Sequence, residues 1–231
     1  LGSLAVLLMP EISQAHIEGP TARLNALLDR MLRLTGYFSA LAGTLFWVWG
    51  RPLAQLLYHS PEAGFYLETL APAMPLMYLE SMVDGAMKGI GEQKAAFRYS
   101  VWDAVLRIGG VAVLLPRYGM RGFLAVILLS SFYTCAANTG RLLLSSGTGH
   151  AFRRWLGAPL LAAAAAGAAG RGVRRALAGF PAQELWGQLA VLTVGGTVTA
   201  IVFLLAALPL GLWEEVRTLL RQAKTGKNRG K

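Results

Sequence analysis

Two pairs of ionisable residues interrupt otherwise apolar stretches of this sequence. Glu80 and Asp84 stand four apart in one stretch, and Asp103 and Arg107 four apart in the next. That interval puts both members of a pair on one face of a helix. An ionised side chain facing lipid costs at least about 2.5–3.5 kcal/mol on insertion scales. If these stretches cross a membrane, all four must face a bundle interior or a wet cavity. Two readings stay open. In the functional one they form a polar cavity wall, with Arg107 meeting an anionic substrate group and Glu80 and Asp84 serving as proton or cation sites. In the structural one Arg107 pairs with Asp103 within its helix, or with Asp84 across two helices. Enzyme signatures are absent: there is no P-loop, no HExxH and no GxSxG. His16, His59 and His150 fall in separate loops, and Cys135 is the sole cysteine, so no internal disulfide and no metal cluster is expected. Lys88-Gly89-Ile90-Gly91 lacks the third glycine of a dinucleotide fingerprint and reads as a helix ending in a tight turn. We therefore expect no enzyme, no cofactor and no resident metal.

The elements that must carry these residues are apolar helices. Of 231 residues, 55% are hydrophobic and only 15% charged, against roughly 25% charged in soluble domains. A helix needs about 20 residues to cross about 30 Å of hydrocarbon. Six stretches qualify: 34–57, 70–90, 97–115, 120–144, 156–178 and 186–210. A further apolar stub, 1–9, ends at Pro10 and has no signal-peptide character. The fifth stretch is the weakest, because Arg171, Arg174 and Arg175 follow its alanine-rich run; it either spans with snorkelling arginines or re-enters. Gly195-Gly196 and the alanines of 162–170 predict close helix packing, and Asn138 an interhelical hydrogen bond. Residues 20–33, with Leu24, Leu27, Leu28 and Met31 at helical spacing, read as an amphipathic surface helix leading into the first crossing. Residues 212–222 show the same pattern, before a Gly/Lys-rich tail.

The net charge of +10 does not point to nucleic acid, because the basic residues flank the apolar runs. Alternating the loops puts 15 of the 22 on one side, including Arg23, Arg30, Arg33, Lys88, Lys94, Arg98, Arg141, Arg153, Arg154 and the tail. The other side collects six: Arg51, Arg117, Arg121, Arg171, Arg174 and Arg175. The positive-inside rule places the first group and the C-terminus in the cytoplasm.

Three motifs then point to a family. Leu8-Met9-Pro10-Glu11-Ile12-Ser13-Gln14-Ala15 resembles a "Leu-x-Pro-x-Ile-Ser-x-Ala" helix end. Pro75-Leu76-Met77-Tyr78-Leu79, followed by Gly89-Ile90-Gly91, resembles a "Pro-x-x-Tyr-Leu … Gly-x-Gly" helix and turn. Leu115-Pro116 with Tyr118-Gly119-Met120 and Gly122-Phe123 resembles a "Leu-Pro-x-x-Gly-Ile-x-Gly-Tyr" hairpin. Together, over residues 1–145, they resemble stage V sporulation protein B-like polysaccharide-biosynthesis flippases of the multidrug/oligosaccharidyl-lipid/polysaccharide superfamily. Met120 and Phe123 depart mildly from the pattern, and Asp84 stands where relatives often carry a small or apolar residue.

The resemblance implies an all-α, polytopic transmembrane bundle of about 14 helices in two lobes, of which this chain carries the second. The division expected is 1–145 for the N-terminally truncated C-terminal lobe, 146–211 for two additional transmembrane helices, and 212–231 for the cytoplasmic amphipathic helix and basic tail. It further implies a bacterial cytoplasmic membrane location. The expected partners are the bilayer, a lipid-linked anionic glycan and a missing N-terminal lobe. The function implied is flipping of a lipid-linked oligosaccharide or peptidoglycan precursor. Arg107, Glu80, Asp84 and Asp103 would line the cavity, and the last two spans would offer a groove for a lipid tail. A cation-coupled small-molecule exporter and a non-transporting membrane scaffold are the rival expectations.

Overall fold

The computed structural model describes residues 10, 12–14, 17, 21–146, 153–177, 179 and 185–212. The stub, most of the first motif, the 212–222 amphipathic segment beyond Leu212 and the basic tail lie outside the described residues. Within them the protein is helical, without a strand: α1 (Thr21–Tyr58), α2 (Pro61–Leu70), a 3-10 turn (Ala71–Ala73), α3 (Met74–Gly89), α4 (Gln93–Tyr118), α5 (Met120–Ser146), a π-helical turn (Arg153–Gly157), α6 (Ala158–Leu177), α7 (Leu185–Ala207) and a closing π-helical turn (Leu208–Leu212). It is an all-α membrane bundle.

Among the described residues, four helices are long and apolar enough to cross a bilayer: Gln93–Tyr118, Met120–Ser145, Trp155–Leu177 and Trp186–Leu212. They coincide with the last four stretches expected from the sequence, the doubtful arginine-bearing one included. The first two stretches differ. The expected first crossing is the middle of α1, whose 38 residues reach about 57 Å at 1.5 Å each. It has the length but not the apolarity, because Thr35, Ser39 and Thr44 fall along it and are all buried. Each hydroxyl side of this helix is turned into protein: Ser39 Oγ donates to the Thr35 carbonyl at 2.7 Å and Thr44 Oγ1 to the Ala40 carbonyl at 2.7 Å. The expected second crossing is a broken helix. His59 takes a left-handed backbone (φ 51°) and stops α1. Ser60 Oγ then accepts from the Ala63 amide at 3.3 Å, and Pro61 opens α2. This is a cap of the usual Ser-Pro type. The 3-10 turn carrying Pro72 separates α2 from α3, which has only 16 residues.

The helix directions follow from who meets whom. α2 and α3 descend along α1, with Gly64 against Arg51 and Pro75 against Gly43. α4 rises, turns at Gly119 and α5 descends. α6 rises beside α1, from Trp155 against Gly36 to Gly167 against Trp47; α7 descends beside both. The ends of α1, α4 and α6 and the start of α7 therefore share one end of the bundle. Gly119 makes the α4–α5 turn with φ 58° and ψ −143°, a region costly for any residue with a Cβ. The resemblance motif's Leu-Pro-x-x-Gly is thus a hairpin turn.

Two apolar cores form. In one, Leu24, Leu28, Met31 and Leu32 of α1 pack with Leu79, Met82, Val83 and Met87 of α3 and Leu142 of α5. The amphipathic face expected to lie on the membrane surface is therefore buried in protein. In the other, Tyr37 and Ala40 meet Ala162 and Ala166 of α6 and Phe203 and Ala207 of α7. α6 and α7 are fastened to α1 along its length. Trp155 Nε1 donates to Asp29 Oδ1 at 2.7 Å, Tyr37 Oη to the Leu210 carbonyl at 2.8 Å, and Trp49 Nε1 to Thr199 Oγ1 at 3.1 Å. Trp49 is seated on Gly195: a Cβ there would lie 2.1 Å from the indole ring. Its neighbour Gly196, expected to share that role, meets nothing within 4 Å.

Gly195→Ala should therefore swing the buried indole away, break its bond to Thr199 and cost about 1–3 kcal/mol. Gly196→Ala should stay within about 0.5 kcal/mol. Thermal unfolding of the two variants in the same detergent checks the contrast; equal stability would refute this seating of Trp49.

Candidate functional site

The charged residues of the second and third stretches are held by α3, α4 and α5. Asp103 and Arg107 lie one turn apart on α4, and Arg107 Nε sits 2.8 Å from Asp103 Oδ2. The structural pairing within one helix is thus the one realised. A third group completes it. Arg107 Nε donates to Ser130 Oγ on α5 at 2.6 Å, and Ser130 Oγ in turn donates to Asp103 Oδ1. Thr134 Oγ1, one turn further on α5, lies 3.0 Å from Asp103 Oδ1 and 2.7 Å from the Ser130 carbonyl, so its proton is shared. Ser130 and Thr134 are buried, and Asp103 is 14% exposed against 43% for Arg107. The carboxylate is therefore enclosed while the guanidinium reaches outward. Both contacts of Arg107 use Nε; its two terminal nitrogens have no partner among the described residues.

Glu80 of α3 is half-buried and lies within electrostatic range of Asp103, Arg107 and Asp84. Asp84 has a partner of its own. It pairs with Lys88 one turn toward the helix end, at 2.5 Å. Asp84 thus has an ion-pair partner on its own helix, while no hydrogen bond or ion pair among the described residues joins Glu80 to Asp103 or Arg107. The alternative Asp84–Arg107 bridge is not formed. At that same end Arg141 holds Glu92 with contacts of 3.0 and 3.1 Å, tying the 89–92 turn to α5.

Sequence reading missed Ser130 and Thr134. Their signal was present, as hydroxyls one turn apart in the apolar run of α5, but nothing local connects them to Asp103, 27 and 31 residues away. Asn138, expected to join helices, is buried with its Oδ1 lacking a partner among the described residues, as is Ser131 Oγ. Among the described residues no cluster of metal ligands forms.

A separate apolar cavity of about 580 Å³ opens elsewhere in the bundle. Its walls are Leu34, Phe38 and Leu41 of α1, Met82 of α3, and Phe203 and Leu204 of α7. A groove was expected between the last two spans; it opens between α1 and α7 instead, because α6 and α7 close against each other through their small residues. The charged cluster of α3–α5 and the apolar cavity between α1 and α7 share no lining residue.

No family model matches the chain, and no solved structure matches it. The chain is similar to the sporulation protein YkvU of Bacillus subtilis (strain 168), at 28% identity over 144 residues. That match covers 62% of this chain and 31% of YkvU. The chain spans about a third of the length of this relative, a distant homologue.

Proposed function

We propose that this bundle is one lobe of a flippase that moves a lipid-linked oligosaccharide or peptidoglycan precursor across the bacterial cytoplasmic membrane. The observation that carries this reading is Arg107: a guanidinium fixed through Nε by Asp103 and Ser130 in an apolar span, with its terminal nitrogens turned outward. Fixing a guanidinium by one edge leaves the other edge for a planar, bidentate contact with a phosphate oxygen pair. Such an arrangement suits a pyrophosphate-linked sugar. The enclosed Asp103 keeps the arginine in place and offsets the cost of a charge at that depth. The apolar cavity between α1 and α7 is the size to take part of a lipid chain. Likeness to a sporulation protein agrees with envelope synthesis as the setting. In this mechanism two lobes would rock around the polar cluster, exposing it to each side in turn.

Arg107→Gln in the full-length protein, reconstituted in vesicles with a fluorescent lipid-linked glycan, should slow flipping at least about tenfold, the usual cost of a lost charged contact. Flipping at the wild-type rate would sink the assignment. Leu204→Trp, which fills the α1–α7 cavity, should also slow flipping while leaving a water-soluble glycan head bound as before.

A further inference from the structure

The opposite half of the molecule carries a second cationic group that the flippase reading does not use. Arg51 of α1 and Arg174 of α6 both grip Glu68 of α2, at 2.8 and 3.1 Å, and Arg174 also donates to the Val48 carbonyl at 2.6 Å. Arg171, three residues back on the same face of α6, lies flat over Trp47 at 3.7 Å. Arg175 follows at the position four beyond Arg171 and is exposed. Four arginines thus converge from two helices, and the carboxylate that the structure pairs with them is the one on Glu68. Arg171, Arg174 and Arg175 fit a simple positive-inside pattern worst; Arg51, Arg171 and Arg174 have fixed partners.

The depth of this group is marked independently. Tyr58 ends α1, Tyr118 ends α4 and Trp186 begins α7, and all are strongly exposed at that same end of the bundle. Amphipathic aromatics in that position mark the level of lipid headgroups. Arg171, Arg174 and Arg175 fall in the last seven residues of the Trp155–Leu177 span, toward that same end, and Glu68 ties Arg51 to them. A surplus of positive charge on the approach to the headgroups, pre-oriented by Glu68, Val48 and Trp47, matches a phosphate on a lipid, not one free in solution.

We propose that Arg51, Arg171, Arg174 and Arg175 form a binding site for the phosphate of a membrane lipid, with Arg171 and Arg175 making the direct contacts. The phosphate can belong to a bulk anionic lipid or to a pyrophosphate-linked carrier lipid; the chemistry of recognition is shared. The site stands apart from Arg107, so Arg107→Gln leaves it intact and the two readings fail separately.

The test is lipid binding by the purified, delipidated protein, titrated with phosphatidylglycerol and, separately, with a polyprenyl pyrophosphate. Arg171→Gln/Arg175→Gln should weaken binding about tenfold, the equivalent of about 1.4 kcal/mol, with its melting temperature reported alongside to show that the Glu68 clamp still folds. Loss with phosphatidylglycerol identifies bulk lipid, and loss with the pyrophosphate alone identifies the carrier. Arg117→Gln/Arg121→Gln, which removes two arginines of the same end but outside the cluster, should leave binding unchanged. Equal loss in both double variants, or no loss in the first for either lipid, overturns the proposal.

Discussion

A membrane helix usually keeps an apolar face because lipid cannot hydrogen-bond to it. α1 is freed from that requirement, and the rest of the bundle follows from how. It is sheathed by α2, α3, α6 and α7, so its hydroxyls, glycines and tryptophans face protein. Gly36, Gly43 and Gly50, spaced seven apart, let Trp155, Ala71 and Leu67 approach the α1 backbone directly. In turn Trp47 and Trp49 project from α1 into glycines of α6 and α7. Packing by interlocking small and large residues replaces a hydrophobic driving force that lipid does not supply. α1 is therefore the post on which both halves of the bundle hang.

The helix farthest from that post behaves in the opposite way. α4 meets mainly α5, and beyond Ala95 and Ala96 in its first turn it has no fully buried residue. Phe97, Trp102, Val105 and Ile108 stand exposed along it. In water this would be untenable; in a bilayer it is an ordinary lipid-facing surface. Asp103 and Arg107 sit on the narrow side of α4 that faces α5, where Ser130 and Thr134 supply the hydrogen bonds that hydrocarbon withholds. The charged cluster and the apolar face are consequences of one helix having one protein neighbour.

Polar contacts do two different jobs in this bundle. Asp29 with Trp155, Trp49 with Thr199 and Glu68 with Arg51 and Arg174 cross between helices and fix the α6–α7 pair at three heights on α1. Arg107 is instead fixed by one edge only. The first kind spends its hydrogen-bonding capacity on the fold, and the second leaves its terminal nitrogens without a partner among the described residues.

The amino-acid sequence alone determined the helical membrane character, the last four crossings and the glycine turns at 89–91 and 119. Those depend on hydropathy over about 20 residues and on backbone geometry at one position, both local properties. It also singled out Asp103 and Arg107, because charges in apolar runs are conspicuous. Only the tertiary structure decided that Ser130 completes their cluster, that Asp84 leaves it for Lys88, and that the arginines at the end of α6 are held by Glu68, Val48 and Trp47. The same is true of the polar crossing of α1 and the break between α2 and α3. The Ser130 bond and the hold on the α6 arginines depend on partners 23 to 126 residues away, and the polar course of α1 depends on being sheathed by other helices; no window along the chain carries that information.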